Sequence, residues 1–265
     1  MKPTTVVLLR SPVTHEPLGL LPGRGPSGGQ QAVLVSTPSG ERFPIQDGIP
    51  RLLDQAKVAG FNRRYQRLYN TIARCYDPAI KVLAYLTGGR EAQYRQEYLQ
   101  AVEIQEGNRV LEVSIGTGAN LRYLPVEAPY FGVDISWGML RQCQRNLRKW
   151  GRDAELLLGN AEALPLQDQT FDTVFHVGGI NVFDDRATAI REMIRVAKAG
   201  TKIVIVDETI KLMEALTWVP GIRRLLEVHR DRFSPPVALV PTDMRDLQVK
   251  EIMGGKLYCL TFRKP

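Results

Sequence analysis

A buried strand running directly into a glycine turn leaves a chain few folds to choose from, and Arg109 to Leu121, R-V-L-E-V-S-I-G-T-G-A-N-L, is such a stretch. Val110, Leu111 and Val113 are apolar and partly β-branched, as expected of a parallel strand covered on both faces. Gly116 and Gly118 follow where that strand must turn. Lacking Cβ atoms, they can take positive φ and let a ligand approach the backbone, and a helix is expected to start just after Gly118 with its first N–H groups free. The geometry is that of a nucleotide-type site in an α/β fold, although an ordinary strand-to-helix loop has the same local pattern. Glu112, before the glycines, repels phosphates and attracts an ammonium. A dinucleotide fingerprint needs a third glycine three residues after Gly118, which is absent, and no G-K-[ST] occurs.

Three later stretches extend the pattern. Y-F-G-V-D-I-S, Tyr130 to Ser136, is an apolar strand ending in Asp134, twenty-two positions after Glu112, where a carboxylate can accept both hydroxyls of a ribose. G-N-A-E-A-L-P-L follows at Gly159 to Leu166, and F-D-T-V-F-H-V at Phe171 to Val177. In this order, over about residues 62–206, the four resemble the motifs of class I S-adenosylmethionine-dependent methyltransferases. E-V-S-I-G-T-G stands for the usual acid followed by G-x-G-x-G, with Ser114 in the first glycine's place. The resemblance implies an α/β fold, a Rossmann-like seven-stranded sheet with helices on both faces. It also implies S-adenosylmethionine as methyl donor, S-adenosylhomocysteine as product, and no metal. By the same resemblance Glu112 faces the donor's amino group, Ser114, Gly116 and Gly118 its methionine portion, Asp134 its ribose, and Asn160, Ala161 and Glu162 its adenine. Ile135 and Val177 complete the cofactor contacts.

The chain of 265 residues has room for one large domain and a small companion. Its 44% hydrophobic and 24% charged residues are ordinary for a soluble globular protein. No run approaches the ~20 apolar residues that span a bilayer, and the N-terminus lacks a secretory pattern, so the expected location is cytoplasmic. Cys75, Cys143 and Cys259 are too dispersed for a metal site or a disulfide framework and are expected as buried or semi-buried thiols. A net charge of +7 suits nucleic acid, an anionic membrane surface or an acidic substrate, but the basic residues are spread along helical stretches whose outer faces are normally charged.

Residues 1–55 form a separate β-rich leader, because eight prolines between Pro3 and Pro50 exclude long helices. Val6 to Leu9 and Ala32 to Val35 are the expected strands, with a turn over L-P-G-R-G-P-S-G-G between them. R-F-P-I-Q-D-G-I-P-R-L-L, from Arg42, resembles the end of a zinc-ribbon-like module found ahead of some methyltransferase domains. Where that module carries Cys-x-x-Cys pairs this chain has Ser11-Pro12-Val13-Thr14 and Ser36-Thr37-Pro38-Ser39, so a metal-free remnant is expected.

The methyltransferase-like domain is expected over residues 56–265, with lid segments at about 61–88 and 210–246. In the first, Tyr65, Leu68, Tyr69, Ile72 and Tyr76 share a helix face that Asp77-Pro78 should end or redirect. Its Y-N-x-I-A-x-x-Y-D-P form resembles the closing helix of the ubiquinone and menaquinone biosynthesis C-methyltransferases and their relatives, which makes Tyr76 the cap of the cofactor pocket. A further helix is expected over residues 91–104. The acceptor pocket is expected at the strand ends, from Tyr69, Asn181, Phe183 and Trp218, with His176 as a general base if it is not simply satisfied in the core. Asp207 and Glu208 end strand five and can bind a polar acceptor group or cap a helix. The second lid mixes Trp218, Ile222, Leu225 and Leu226 with Arg223, Arg224, Arg230 and Arg232, which suits a small or lipid-like acceptor and contact with a membrane surface. The last segment alternates around Gly254-Gly255 as a hairpin. Two rival readings are a ribosomal or transfer RNA methyltransferase, from the charge, and a non-catalytic subunit that holds the cofactor. The sequence does not fix the oligomeric state.

Overall fold

The computed structural model describes residues 1–24, 30–86, 91–218 and 221–265. The leader holds α1 (Pro3–Val6), β1 (Leu18–Arg24), β2 (Gln30–Ser36), β3 (Arg42–Gln46) and β4 (Ile49–Pro50). Two helices follow, α2 (Gly60–Leu86) and α3 (Glu91–Leu99), and then β5 (Val110–Val113), β6 (Tyr130–Asp134), α4 (Trp137–Trp150), β7 (Glu155–Leu158), β8 (Thr173–Val177), α5 (Arg186–Val196) and β9 (Lys202–Glu208). The chain continues through α6 (Ile210–Ala215) and α7 (Ile222–His229) to the hairpin β10 (Arg245–Ile252) and β11 (Leu257–Arg263).

The large sheet has seven strands in the order β10-β11-β9-β8-β5-β6-β7, as expected. The five strands from β5 to β9 pair in parallel, and β11 lies antiparallel to both β9 and β10. Strand alternation sends side chains to two cores. Leu111, Val113, Val133, Ile203 and Ile205 pack with Ala189, Ile190 and Met193 of α5, and the leader's Leu9, Leu34 and Leu52 join this side. Val110, Tyr130, Leu158, Phe175 and Val206 pack on the other face with Leu140, Cys143 and Leu147 of α4 and Tyr98 and Leu99 of α3. The sheet is therefore covered on both faces, which is why its strands read as apolar runs.

The leader is a four-stranded antiparallel sheet in sequential order, and it departs from expectation at its first strand. Residues 3–6 form a helical turn, while Leu18–Arg24 pairs along all of β2 despite Pro22 and Gly23. As an edge strand β1 can carry a proline. Of the expected turn from Leu21, residues 25–29 lie outside the described residues. The serine turns draw together: Ser11 Oγ donates to Glu41 at 2.6 Å, Ser39 Oγ to Glu41 at 3.1 Å, Thr14 Oγ1 to Glu16 at 3.1 Å, and Ser36 Oγ also donates to Glu16. Hydroxyls and two carboxylates thus tie the turns at which thiolates were sought. Among the described residues no cluster of His, Cys, Asp and Glu is arranged to hold a metal.

The leader lies along the edge of the main sheet. Leu52 N donates to Leu158 O of β7 at 2.8 Å, Arg10 N to Pro165 O at 3.0 Å, and Gln167 N to Leu8 O at 2.9 Å. It therefore covers an edge strand that would otherwise leave backbone groups unpaired. Three other expectations are corrected. Helix α2 runs through Pro78 to Leu86, since Arg74 and Pro78 are exposed and water can take the carbonyl left unpaired. Helix α3 stops at Leu99, and Cys75 is exposed. No helix among the described residues is long and apolar enough to cross a membrane.

Candidate active site

The carboxyl ends of β5, β6, β8 and β9 open into a cavity of about 310 Å³, closed above by α2, α6 and α7. Ser114, Gly116 and Gly118 all take positive φ, at 59°, 56° and 74°. For Ser114 that conformation costs on the order of 1–2 kcal/mol, so the loop is held in a shape that glycine adopts more easily. The turn is followed by a 3₁₀ segment, Ala119–Tyr123, rather than the expected helix.

Glu112 sits at the cavity floor, 2% exposed. Its Oε1 accepts from Asn120 Nδ2 at 2.6 Å, while Oε2 is buried with no partner. Asn120 is itself held by Arg95 Nη1 at 2.6 Å and Tyr98 Oη at 2.7 Å. Burial pushes Glu112 up to about 8 against the Asn120 amide and the nearby Arg95. An orphaned acid in such a place calls for a cationic donor. Asp134 accepts from Gly116 N through Oδ2 and from Ser136 N through Oδ1, both at 2.8 Å. Burial raises it to about 6, with the two amides pulling the other way. The residues present fit a ligand that carries an ammonium at one end and vicinal hydroxyls further along.

Helix α2 is bolted down at intervals. Asn62 Nδ2 donates to Glu162 at 2.8 Å, and Gln66 Nε2 to Ile135 O at 3.0 Å. Asn70 Oδ1 accepts from Ser136 Oγ and Gly138 N, both at 2.8 Å. Asp77 accepts from Thr117 Oγ1 at 2.5 Å and Asn146 Nδ2 at 2.8 Å. Each polar residue stands next in sequence to an aromatic one, Phe61, Tyr65, Tyr69 and Tyr76, whose rings follow one another at 5.9–6.3 Å. Tyr65, Tyr69 and Tyr76 line the cavity, and burial pushes Tyr76 up to about 12.

Most expected site residues converge. Tyr76, Glu112, Ser114, Gly116, Asp134, Ile135 and Val177, expected to hold the cofactor, line the cavity, as do Tyr69, Asn181 and Phe183, expected to hold the acceptor. Others do not. Gly118 lies behind the wall, because a Cβ there would come within 2.6 Å of Cys143 Sγ. Asn160, Ala161 and Glu162 also stay outside: Asn160 Oδ1 accepts from Glu162 N, and Glu162 Oε1 is engaged by Asn62 and Asp185 N. Trp218 is 67% exposed and does not reach the cavity. His176 is fully buried, with Nδ1 3.0 Å from Val113 O and Nε2 accepting from Ile180 N at 3.0 Å, and burial lowers its pKa. Both ring nitrogens are therefore occupied by backbone, and the residue ties β8 to β5 instead of serving as a base. Sequence reasoning missed Arg95, Asn120, Met139, Leu212, Met213 and Leu216, which also line the cavity, as does Phe233 of the expected second lid.

The raised acid gives a pH dependence. In the ligand-free fold Glu112 keeps its proton up to about pH 8, whereas the unfolded chain loses it near the ordinary 4.5. The stability this group contributes is thus complete below about 4.5 and is lost as pH rises through about 8. A bound ammonium reverses the preference. Melting curves between pH 5 and 9 should show this decline without ligand and a smaller one with S-adenosylhomocysteine present.

Comparison with known proteins agrees with this geometry. Residues 111–205 match the family described as a methyltransferase domain. A demethylmenaquinone methyltransferase of Streptomyces avermitilis is 30% identical over 183 residues, covering 69% of this chain and 74% of the relative. One from Thermotoga maritima is 31% identical over 144 residues, 53% of this chain, and the chain spans 60% of that relative's length. Among solved structures, a chain of the complex between the Haloferax volcanii Trm112 methyltransferase activator and a methyltransferase superposes with a TM-score of 0.54 at 16% identity, over 74% of this chain and 97% of that one. An S-adenosylmethionine-dependent methyltransferase from Methanococcus maripaludis gives 0.54 at 17%, over 78% and 94%. With the donor-side motifs, the sheet order and a relative matched over most of its length, the chain belongs to the class I S-adenosylmethionine-dependent methyltransferases.

Proposed function

We propose that this protein transfers a methyl group from S-adenosylmethionine to a small apolar acceptor of quinone-like or lipid-like character, in the cytoplasm and at a membrane surface. The observation that carries the donor half is the buried, unpartnered Oε2 of Glu112 at the end of the glycine loop. Glu112 would hold the amino group, Ser114 and Gly116 the methionine portion, and Asp134 the ribose. The Asn160–Glu162 loop is the reading for the adenine, and it requires the Asn62–Glu162 contact to open. When bound, the cofactor supplies an electrophilic methyl on a positively charged sulfur. The protein's task is then to align an acceptor and keep water away.

The acceptor wall supports an apolar molecule. Leu212, Met213, Leu216, Leu225 and Phe233 come from the second lid, opposite the tyrosines of the first. The relatives named as demethylmenaquinone methyltransferases point the same way. Val82, Tyr85, Leu86 and Trp218 are exposed on the two lid segments, with Arg223 and Arg224 exposed on the second, a combination suited to an anionic membrane surface. The +7 charge keeps RNA as the second reading, but among the described residues Arg95 is the one basic residue lining the cavity, and it is already engaged by Glu91 and Asn120, which leaves little to hold a phosphate. The test is methyl transfer from labelled S-adenosylmethionine to reduced short-chain naphthoquinones and to ribosomal or transfer RNA. Label in the quinol and none in RNA is the expected result. Label in RNA alone overturns the acceptor assignment, and cofactor binding without product from any acceptor favours a non-catalytic subunit.

A further inference from the structure

Glu208 ends β9 at the carboxyl edge of the sheet and lines the cavity. Its neighbour Asp207 is fully engaged in structure, since Oδ2 accepts from Gly179 N at 3.1 Å and Asn181 N at 2.8 Å, and Oδ1 accepts from Glu208 N at 2.8 Å. Those bonds fix the 3₁₀ turn Ile180–Val182 below the acceptor wall and leave Glu208 as the acid that faces the open volume. The titratable groups around it are Asp207 on its own strand, Tyr65, Tyr69 and Tyr76 from α2, and Tyr258 from β11, with Glu112, Asp134 and Arg95 elsewhere on the cavity wall. Asn181, whose Nδ2 donates to Glu208 O at 2.8 Å, is held in turn by Tyr258 Oη at 3.2 Å. The backbone that carries Glu208 is therefore fixed.

We propose that Glu208 is the general base on the acceptor side of the cavity, accepting the proton of an acceptor hydroxyl as the methyl group is transferred. This role rests on the methyl-transfer reading above. The hydroxyl loses its proton to the Glu208 carboxylate. The electron pair so released forms the bond to the methyl carbon, through the oxygen or through a conjugated ring carbon, and the pair of the broken sulfur–carbon bond stays on sulfur. Where a ring carbon is the nucleophile, its own hydrogen leaves as a proton to water when aromaticity returns. Burial, and then the Asp207 carboxyl, push Glu208 well above the ordinary carboxylate range. A positive charge in the same cavity favours the carboxylate. Arrival of the donor therefore favours the basic form of Glu208.

The consequence can be read without turnover. S-adenosylmethionine and S-adenosylhomocysteine share the ammonium that Glu112 would meet, but only the first carries a charged sulfur. Calorimetric titrations in buffers of different ionisation enthalpy count the protons released on binding each. Near pH 7 the wild type should release more with S-adenosylmethionine, and Glu208→Gln should release equal numbers with both while still binding S-adenosylhomocysteine. Its kcat should fall by about a hundredfold or more and lose the pH dependence that Glu208 gives the wild type. A proton difference that persists in Glu208→Gln, or none in the wild type despite binding of both ligands, overturns the role of Glu208 alone. Failure of the wild type to bind either ligand overturns the methyl-transfer reading and this role with it.

Discussion

Asp134→Ala should weaken S-adenosylhomocysteine binding by about a hundredfold or more. The carboxylate does two things at once. In the proposed site it would accept the ribose hydroxyls, and it already holds Gly116 N and Ser136 N at 2.8 Å, which shapes the glycine loop. Hydrogen bonds to a charged group contribute roughly 1.5–3 kcal/mol each, so losing the ligand bonds and the loop geometry together amounts to about 3–6 kcal/mol. Folding should suffer less. Removing an acid whose burial raises it to about 6 also removes the cost of that burial, and this offsets part of the loss. Calorimetry beside a melting curve separates the two, and a variant that melts normally and binds like wild type would remove Asp134 from the site.

Gly118→Ala should be a strongly damaging small change to the fold. Alanine there faces two penalties of different origin. At φ 74° an L-residue costs roughly 1–2 kcal/mol, and the added Cβ would stand 2.6 Å from Cys143 Sγ, in a core where overpacking costs about 1–3 kcal/mol. Together the loss is about 2–5 kcal/mol, a fall in Tm of about 5–15 °C for a chain of this size. Adding Cys143→Ala should restore the part due to overlap and leave the part due to φ. If the single variant melts within a degree or two of wild type, helix α4 does not pack on the loop as described.

The strand-end residues of the cavity were legible in the sequence because their signals are short and ordered. Glu112, Gly116 and Asp134 each lie within a few residues of a buried strand, and strand register carries them to one edge of the sheet. Contacts between distant segments were not legible. Arg95 reaches the site through Asn120, twenty-five positions away, and the Asn62, Gln66, Asn70 and Asp77 stripe of α2 makes sense only once its partners on three loops and α4 are in place. Where local rules misled, packing or solvent prevailed: Pro78 stayed in its helix on an exposed side, and β1 kept Pro22 and Gly23 by lying at an edge. His176 looked catalytic because a histidine near a pocket is chemically versatile, but two backbone groups had already claimed it.

The most direct measurement is calorimetric titration of the purified protein with S-adenosylhomocysteine at pH 7. One site per chain, a micromolar Kd, and proton release as the ligand's ammonium meets Glu112 are expected. No heat of binding from either S-adenosylhomocysteine or S-adenosylmethionine, in a protein that melts cooperatively, would contradict the cofactor assignment, and would mean that the buried acid and glycine loop serve some other ligand.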